Sequence, residues 1–341
     1  MNFVSVNLSD TNSSTSISPA LLQAPAQLNI YLGIFIFITG NISTIGNFLV
    51  FSSRLFRARA CSNYLIVEPF FTLLYFNFVL VTRVIQKGFL LPIIDRYNSI
   101  CKIRQFLSEY THQVAFTLFA LATIDRFLST HHSNSYRVWS NRFSLTYKLI
   151  PAVIIFWFLC TFHRLIFYSN STGSCGPLSV GIYVPFDAYF EVIMSGVVPP
   201  ILFITLGCLL LRNVRIVARR RVAVAGVPPT TSTKNSLQIQ QIDSQLSVMI
   251  TLQSFVAIPS FLPFGAQNLY SSITRYWPKS PLYAAWENII IETIRLFSYL
   301  FYSTSFYVCL ISSRGFRKQA LDSFGIKRYN KTLVAQTNAT N

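Results

Sequence analysis

Charge is scarce in this sequence. Only 11% of its 341 residues are Asp, Glu, Lys or Arg, while 52% are hydrophobic, and the mean hydropathy is +0.46. A soluble domain carries about 25% charged residues. This much apolar surface cannot hide in one water-soluble core of this length, so the class is an integral membrane protein. Cysteine is sparse as well: there are six, none in a CxxC pair, which excludes zinc-ribbon and thioredoxin-type chemistry. No HExxH, GxSxG or intramembrane paired-aspartate motif occurs, which argues against an enzyme. No metal or cofactor is called for. The first residues lack a basic stretch leading into an apolar core, so they do not read as a cleaved signal peptide. Residues 1–27 are polar and rich in Ser, Thr and Asn, the composition of a disordered tail. They carry glycosylation sequons at Asn7 and Asn12.

The abundant residues are aromatic and aliphatic. Phe (31) and Tyr (17) suit lipid-facing helices with aromatic interface belts. Seven apolar runs follow one another, near Leu28–Ser53, Asn63–Val84, Ser108–Leu128, Tyr147–Tyr168, Ala188–Leu211, Leu246–Tyr270 and Ala284–Ile311. Each reaches the ~20 residues needed to cross ~30 Å of hydrocarbon. The expected fold is an all-α integral membrane protein, a seven-transmembrane helix bundle over residues 28–312. The second run, with Glu68-Pro69 inside and Arg83 at its end, is the weakest of the seven. Residues 313–324 place Phe316, Ala320, Leu321 and Phe324 on one face, the pattern of a short amphipathic helix after the seventh run. A polar tail closes the chain at 325–341. Between the fifth and sixth runs, Arg219-Arg220-Arg221 and Gly226-Val227-Pro228-Pro229 read as a flexible loop, since Pro-Pro cannot continue a helix.

The net charge of +17 is decided by its placement. With the N-terminus outside, most Lys and Arg fall in the inner segments, from Arg54, Arg57 and Arg59 to Arg314, Arg317 and Lys318. The positive-inside rule then predicts a multi-pass protein with its N-terminus extracellular and its C-terminus cytoplasmic. The basic excess becomes a rim for anionic membrane lipids, not a nucleic-acid surface. In this topology Cys101, at the mouth of the third run, and Cys175, in the loop after the fourth, both face the oxidising side, so a disulfide is expected. The sequon at Asn170 lies in the same loop.

An acidic-basic pair, Asp125-Arg126-Phe127, closes the third run. Together with Gly46-Asn47, Cys101 and Cys175, Trp157, Pro199-Pro200, Phe261-Leu262-Pro263 and Phe316-Arg317, in that order, it resembles the rhodopsin-like G-protein-coupled receptors over about residues 28–324. The resemblance departs at three points. The helix-2 carboxylate that the family uses for sodium would fall near Leu73. The Asn-Pro-x-x-Tyr of helix 7 appears only as Ser303-Thr304-Ser305-Phe306-Tyr307, leaving Tyr307 as the equivalent. Phe261 stands for the helix-6 Trp. The pattern is that of a divergent member.

The resemblance implies a plasma-membrane receptor that binds an extracellular ligand and signals to a heterotrimeric G protein. At rest Arg126 would pair with Asp125 and with Asp243, and movement of helix 6, hinged near Pro263, would release it. Ionisable and polar residues in the outer halves of the runs are the ligand-binding candidates: Ser108, Glu109, His112, Glu191, Gln267, Glu292 and Arg295. Glu292 and Arg295, three residues apart, read first as an internal pair holding helices together. Ser near position 108 argues against a monoamine, and the seventh run offers no lysine for retinal. The rival class is a transporter or channel that uses intramembrane carboxylates, Glu68 among them.

Overall fold

A computed structural model describes residues 18–324 except 58, 132–135, 137–139, 141, 180, 225–230 and 276; the side chains of 214–242 also lie outside the description. The described residues form a helical bundle. Helix α1 (Pro19–Phe51) is followed by α2 (Ala60–Gly88), α3 (Asn98–Thr130) and α4 (Phe143–Phe167, turning at Phe162). A two-stranded antiparallel ribbon pairs β1 (Tyr168–Ser169) with β2 (Gly176–Pro177). Helix α5 starts at Tyr183, passes through a wide π turn at Val192–Val197 and continues as Val198–Val224. Then come α6 (Thr231–Ile273), α7 (Pro281–Phe297), α8 (Leu300–Ser312) and α9 (Arg314–Ser323).

Five of these helices are long and apolar enough to cross a membrane, and α7 with α8, bent by 42° at Ser298-Tyr299, make a sixth when taken as one span. In α4 only 17% of the apolar window is buried, so Ile155, Phe156 and Leu159 lie on the outside of the bundle. Continuous apolar surface of that kind suits lipid, where a helix also satisfies every backbone group internally. Helix α3 is 33 residues long but too polar to qualify on composition. It lies inside, packed against α2, α4, α5 and α6. Its polar residues Glu109, Thr111, His112, Gln113, Thr123, Asp125 and Arg126 are buried among those neighbours.

Several boundaries differ from the sequence expectation. Helix α1 begins at Pro19, not at Leu28, so the C-terminal part of the expected tail is helical. Proline at the first helical position loses no hydrogen bond, since that N–H has no intrahelical partner anyway. Helix α3 starts ten residues before Ser108, because Tyr97–Ser108 is too polar to register as an apolar run yet is ordered by the disulfide. The seventh run is two helices, α7 and α8. Pro259 and Pro263 sit inside α6, which runs unbroken through both. The Gly226–Pro229 stretch and the sequons at Asn7 and Asn12 lie outside the described residues.

The bundle has two distinct ends. At one, Cys101 on α3 is bonded to Cys175, with Cα atoms 5.6 Å apart, pinning the β1–β2 ribbon over the end of α3. At the other, α9 folds back under the bundle. Phe316 and Ala320 are buried, and Phe316 packs on Phe51, Phe56 and Phe306. Arg317 caps α8 by donating to the Leu310 and Ile311 carbonyls at 2.8 and 2.9 Å.

Candidate functional site

Among the described residues, buried ion pairs gather in three places. The first is at the Arg126 end. Arg126 on α3 is 2% exposed. Its Nη2 donates to Asp125 Oδ2 at 2.7 Å and its Nη1 to Asp243 Oδ1, on α6, at 2.9 Å. The other Asp243 oxygen accepts from Arg59 at 2.9 Å, and Arg59 immediately precedes α2. One carboxylate on α6 thus ties that helix to the start of α2 and the last residues of α3. Ser140 Oγ donates to the Asp125 carbonyl at 3.0 Å. Phe127 points elsewhere, onto His131. Two residues beyond Asp243, Gln245 accepts from Ser313 at 3.1 Å, linking α6 to the start of α9.

The second lies toward the Cys101 end, around Arg164 of α4, also 2% exposed. Its Nε donates to Asp187 Oδ1 at 2.9 Å and its Nη2 to Glu191 Oε2 at 3.2 Å, both on α5, while its Nη1 lies 3.8 Å from Glu109 Oε2 on α3. Tyr168 Oη donates to Asp187 Oδ2 at 2.6 Å. Burial, with the adjacent Asp187, raises the Tyr168 phenol well above its ordinary pKa despite the opposing pull of Arg164, which keeps it a donor. Glu109 also accepts from Gln113 at 2.8 Å and from Ser195 at 2.9 Å. Glu109 and Glu191, predicted as ligand contacts, are therefore already engaged with Arg164.

The third corrects the expectation for helix 7. Glu292 does not pair with Arg295. It pairs with Arg83 of α2 and accepts from Asn29 of α1 at 3.0 Å. Asn29 is fully buried; it also donates to the Pro25 carbonyl at 2.8 Å and accepts from Arg83 Nε at 3.2 Å. A helical residue three positions away shares a face with Glu292, but at this crossing that face meets α1 and α2, whose longer reach supplies the partner.

Between the ends is an aromatic layer. His112 faces Phe261 at 5.3 Å between ring centroids and approaches Tyr302 Oη, 3.2 Å from its Nδ1. Phe261 is fully buried against Phe301. His112 and Glu109, though on one face of α3, join different groups of partners. Among the described residues Gln267 bonds only within α6, donating to Ser271 at 2.7 Å. Ser108 makes no side-chain hydrogen bond among the described residues. Tyr307 turns away from Arg126 and donates to the Thr39 carbonyl of α1 at 3.4 Å. Trp157 of α4 donates to Thr117 of α3 at 2.8 Å.

A carboxylate does reach the middle of the bundle where Leu73 offered none. Glu68 accepts from Thr72 at 2.6 Å and lines a small cavity, about 20 Å³ to a water-sized sphere, with Asn47, Gln253, Ser305 and Tyr302. That is room for about one water. Asn170 Nδ2, the atom a glycan would occupy, donates to the Asp95 carbonyl at 3.0 Å.

The sequence reading did not single out Asn29, Arg104, Arg164 or Asp187, and it used Arg59 and Arg83 only as boundary charges. Arg83 and Arg164 carried a signal, since each lies in an apolar run, where an ionisable residue needs a partner. No protein-family model matches this chain, and no curated protein matches it.

Proposed function

We propose that this chain is a divergent receptor of the rhodopsin-like kind. Its N-terminus would be outside, its C-terminus in the cytosol, and its bundle in the plasma membrane. In this reading α3 is the seventh span, tolerated in lipid because neighbouring helices cover its polar side chains. The observation that carries the proposal is the Asp243 carboxylate held between Arg126 and Arg59. It is a contact from within α6 to the start of α2 and the last residues of α3 that outward movement of α6 must break, which is what a two-state switch requires. A ligand bound toward the Cys101 end would favour the open arrangement and expose Arg126 to a heterotrimeric G protein. The lock is partly open to water at Asp243, whose side chain is 29% exposed. A pair so placed is worth about 0–1 kcal/mol, a bias small enough for a ligand to overcome.

Asp243→Ala is expected to raise agonist-free coupling to a panel of G proteins at equal surface expression. Arg126→Ala is expected to abolish it. Unchanged basal coupling in Asp243→Ala would refute the lock. A second reading, transport or conduction, draws on Glu68 beside Pro69 at a cavity in the α2 region. Ion or solute flux through the purified protein in liposomes, abolished by Glu68→Gln, would favour it over the receptor.

A further inference from the structure

We infer that a groove between α1, α2 and α4, at the Arg126 end of the bundle, binds one anionic phospholipid, its phosphate on Arg57 and an acyl chain along the helices. The groove measures about 560 Å³ to a water-sized sphere. Ligand sites usually enclose about 300–1,000 Å³. Its lining changes from polar to apolar at the same level on three helices. Ser52, just past the end of α1, lies one turn outside Phe48. Asn63, in the first turn of α2, lies one turn outside Ile66 and Val67. Tyr147, near the start of α4, stands in the same relation to Ile150 and Pro151. One helical turn is about 5 Å, so a polar layer sits directly on an apolar one. The ligand that fits is polar at one end and apolar along the rest.

The polar layer suits a negative head. Arg57 lines it from the short helical turn Arg54–Arg57, which joins α1 to α2. Phe56 fixes that turn, fully buried against Phe51 and Phe316. No carboxylate lines the groove among the described residues. Asp125 and Asp243, at this end of the bundle, are held by Arg126 and Arg59. Asn63 Nδ2 is a buried donor with no hydrogen-bond partner among the described residues. A guanidinium fork grips a phosphate through two parallel hydrogen bonds, and basic pockets between membrane helices take anionic headgroups. A sterol would leave the Arg57 charge unanswered. A free phosphate would leave the apolar layer unfilled.

The site goes beyond the receptor reading and borrows from it only the orientation that puts the groove in the cytosolic leaflet. Binding is measured without that orientation. The full-length protein in dodecyl maltoside, titrated with phosphatidylglycerol and read by native mass spectrometry, is expected to hold one such lipid. It should hold it more tightly than cholesterol or phosphatidylcholine of the same chains. Arg57→Gln is expected to weaken phosphatidylglycerol binding about tenfold. Arg54→Gln removes the same charge from the same turn but outside the groove, and should leave binding unchanged. In the unaltered protein, phosphatidylglycerol with a photoreactive acyl chain is expected to label Ile66, Val67, Ile150 and Pro151 above Ile201 and Leu209, which are exposed on α5. Equal losses in the two arginine variants would mean diffuse attraction to a basic rim and would overturn the site. So would even labelling of α5, or tighter binding of cholesterol. Sidedness mapping that places the groove outside the cell would count against the receptor's orientation and leave the lipid site standing.

Discussion

At the scale of single residues, what matters is whether a buried charge has its partner. Arg164 is nearly inaccessible and has Asp187, Glu191 and Glu109 around it. Replacing it with Gln leaves two buried carboxylates, Asp187 and Glu109, without a counter-charge. The expected cost is about 3–5 kcal/mol, read as a lowered thermal midpoint of the purified protein. Glu191, 31% exposed in the same cluster, is the internal control. Its change to Gln is expected to cost no more than about 1 kcal/mol, since water already screens it. If the two variants lose equal stability, the burial argument fails. The residues of this cluster were individually visible as charges near or inside apolar runs. Their pairing was not, because Arg164 and Glu109 lie in different helices and no periodicity relates them.

At the scale of elements, close helix approach is set by two glycines. A Cβ on Gly196, in the wide turn of α5, would overlap the Gly265 backbone of α6. One on Gly265 would come within 2.6 Å of the Gly196 Cα. Backbone cannot yield as a side-chain tip can, so Gly265→Val should force α5 and α6 apart, costing about 1–3 kcal/mol or more. Gly207, on the same α5, would place a Cβ 3.4 Å from Ser254 Cβ, an ordinary contact. Gly207→Ala is expected to be neutral or slightly stabilising, because alanine is the better helix former by about 1 kcal/mol. Thermal midpoints of the two variants in one detergent check the pair of outcomes. The runs containing these glycines were legible as helices. That α5 and α6 touch backbone to backbone at this one crossing was not, since small residues occur at many positions that face nothing.

At the scale of the whole molecule, the Cys101–Cys175 bond ties the end of α3 to the loop after α4 across 74 residues. Cys175→Ser is expected to lose about 2–4 kcal/mol of stability, with earlier proteolysis of the segment around the β1–β2 ribbon. Unchanged proteolysis would show that packing, not the bond, holds that segment. The sequence by itself determined that the chain is helical and mostly apolar and where nearly every helix lies; the pairing of the two cysteines was an expectation that rested on the assumed topology, and the structure forms the bond. Length and composition suffice for the helices, because a lipid-spanning apolar stretch of this size satisfies its backbone within itself as a helix. Only the tertiary structure decided that Glu292 answers Arg83 first and that Glu109 belongs to Arg164. Helical spacing says which side chains share a face, but the partner across that face depends on how each helix is rotated and which neighbour packs against it.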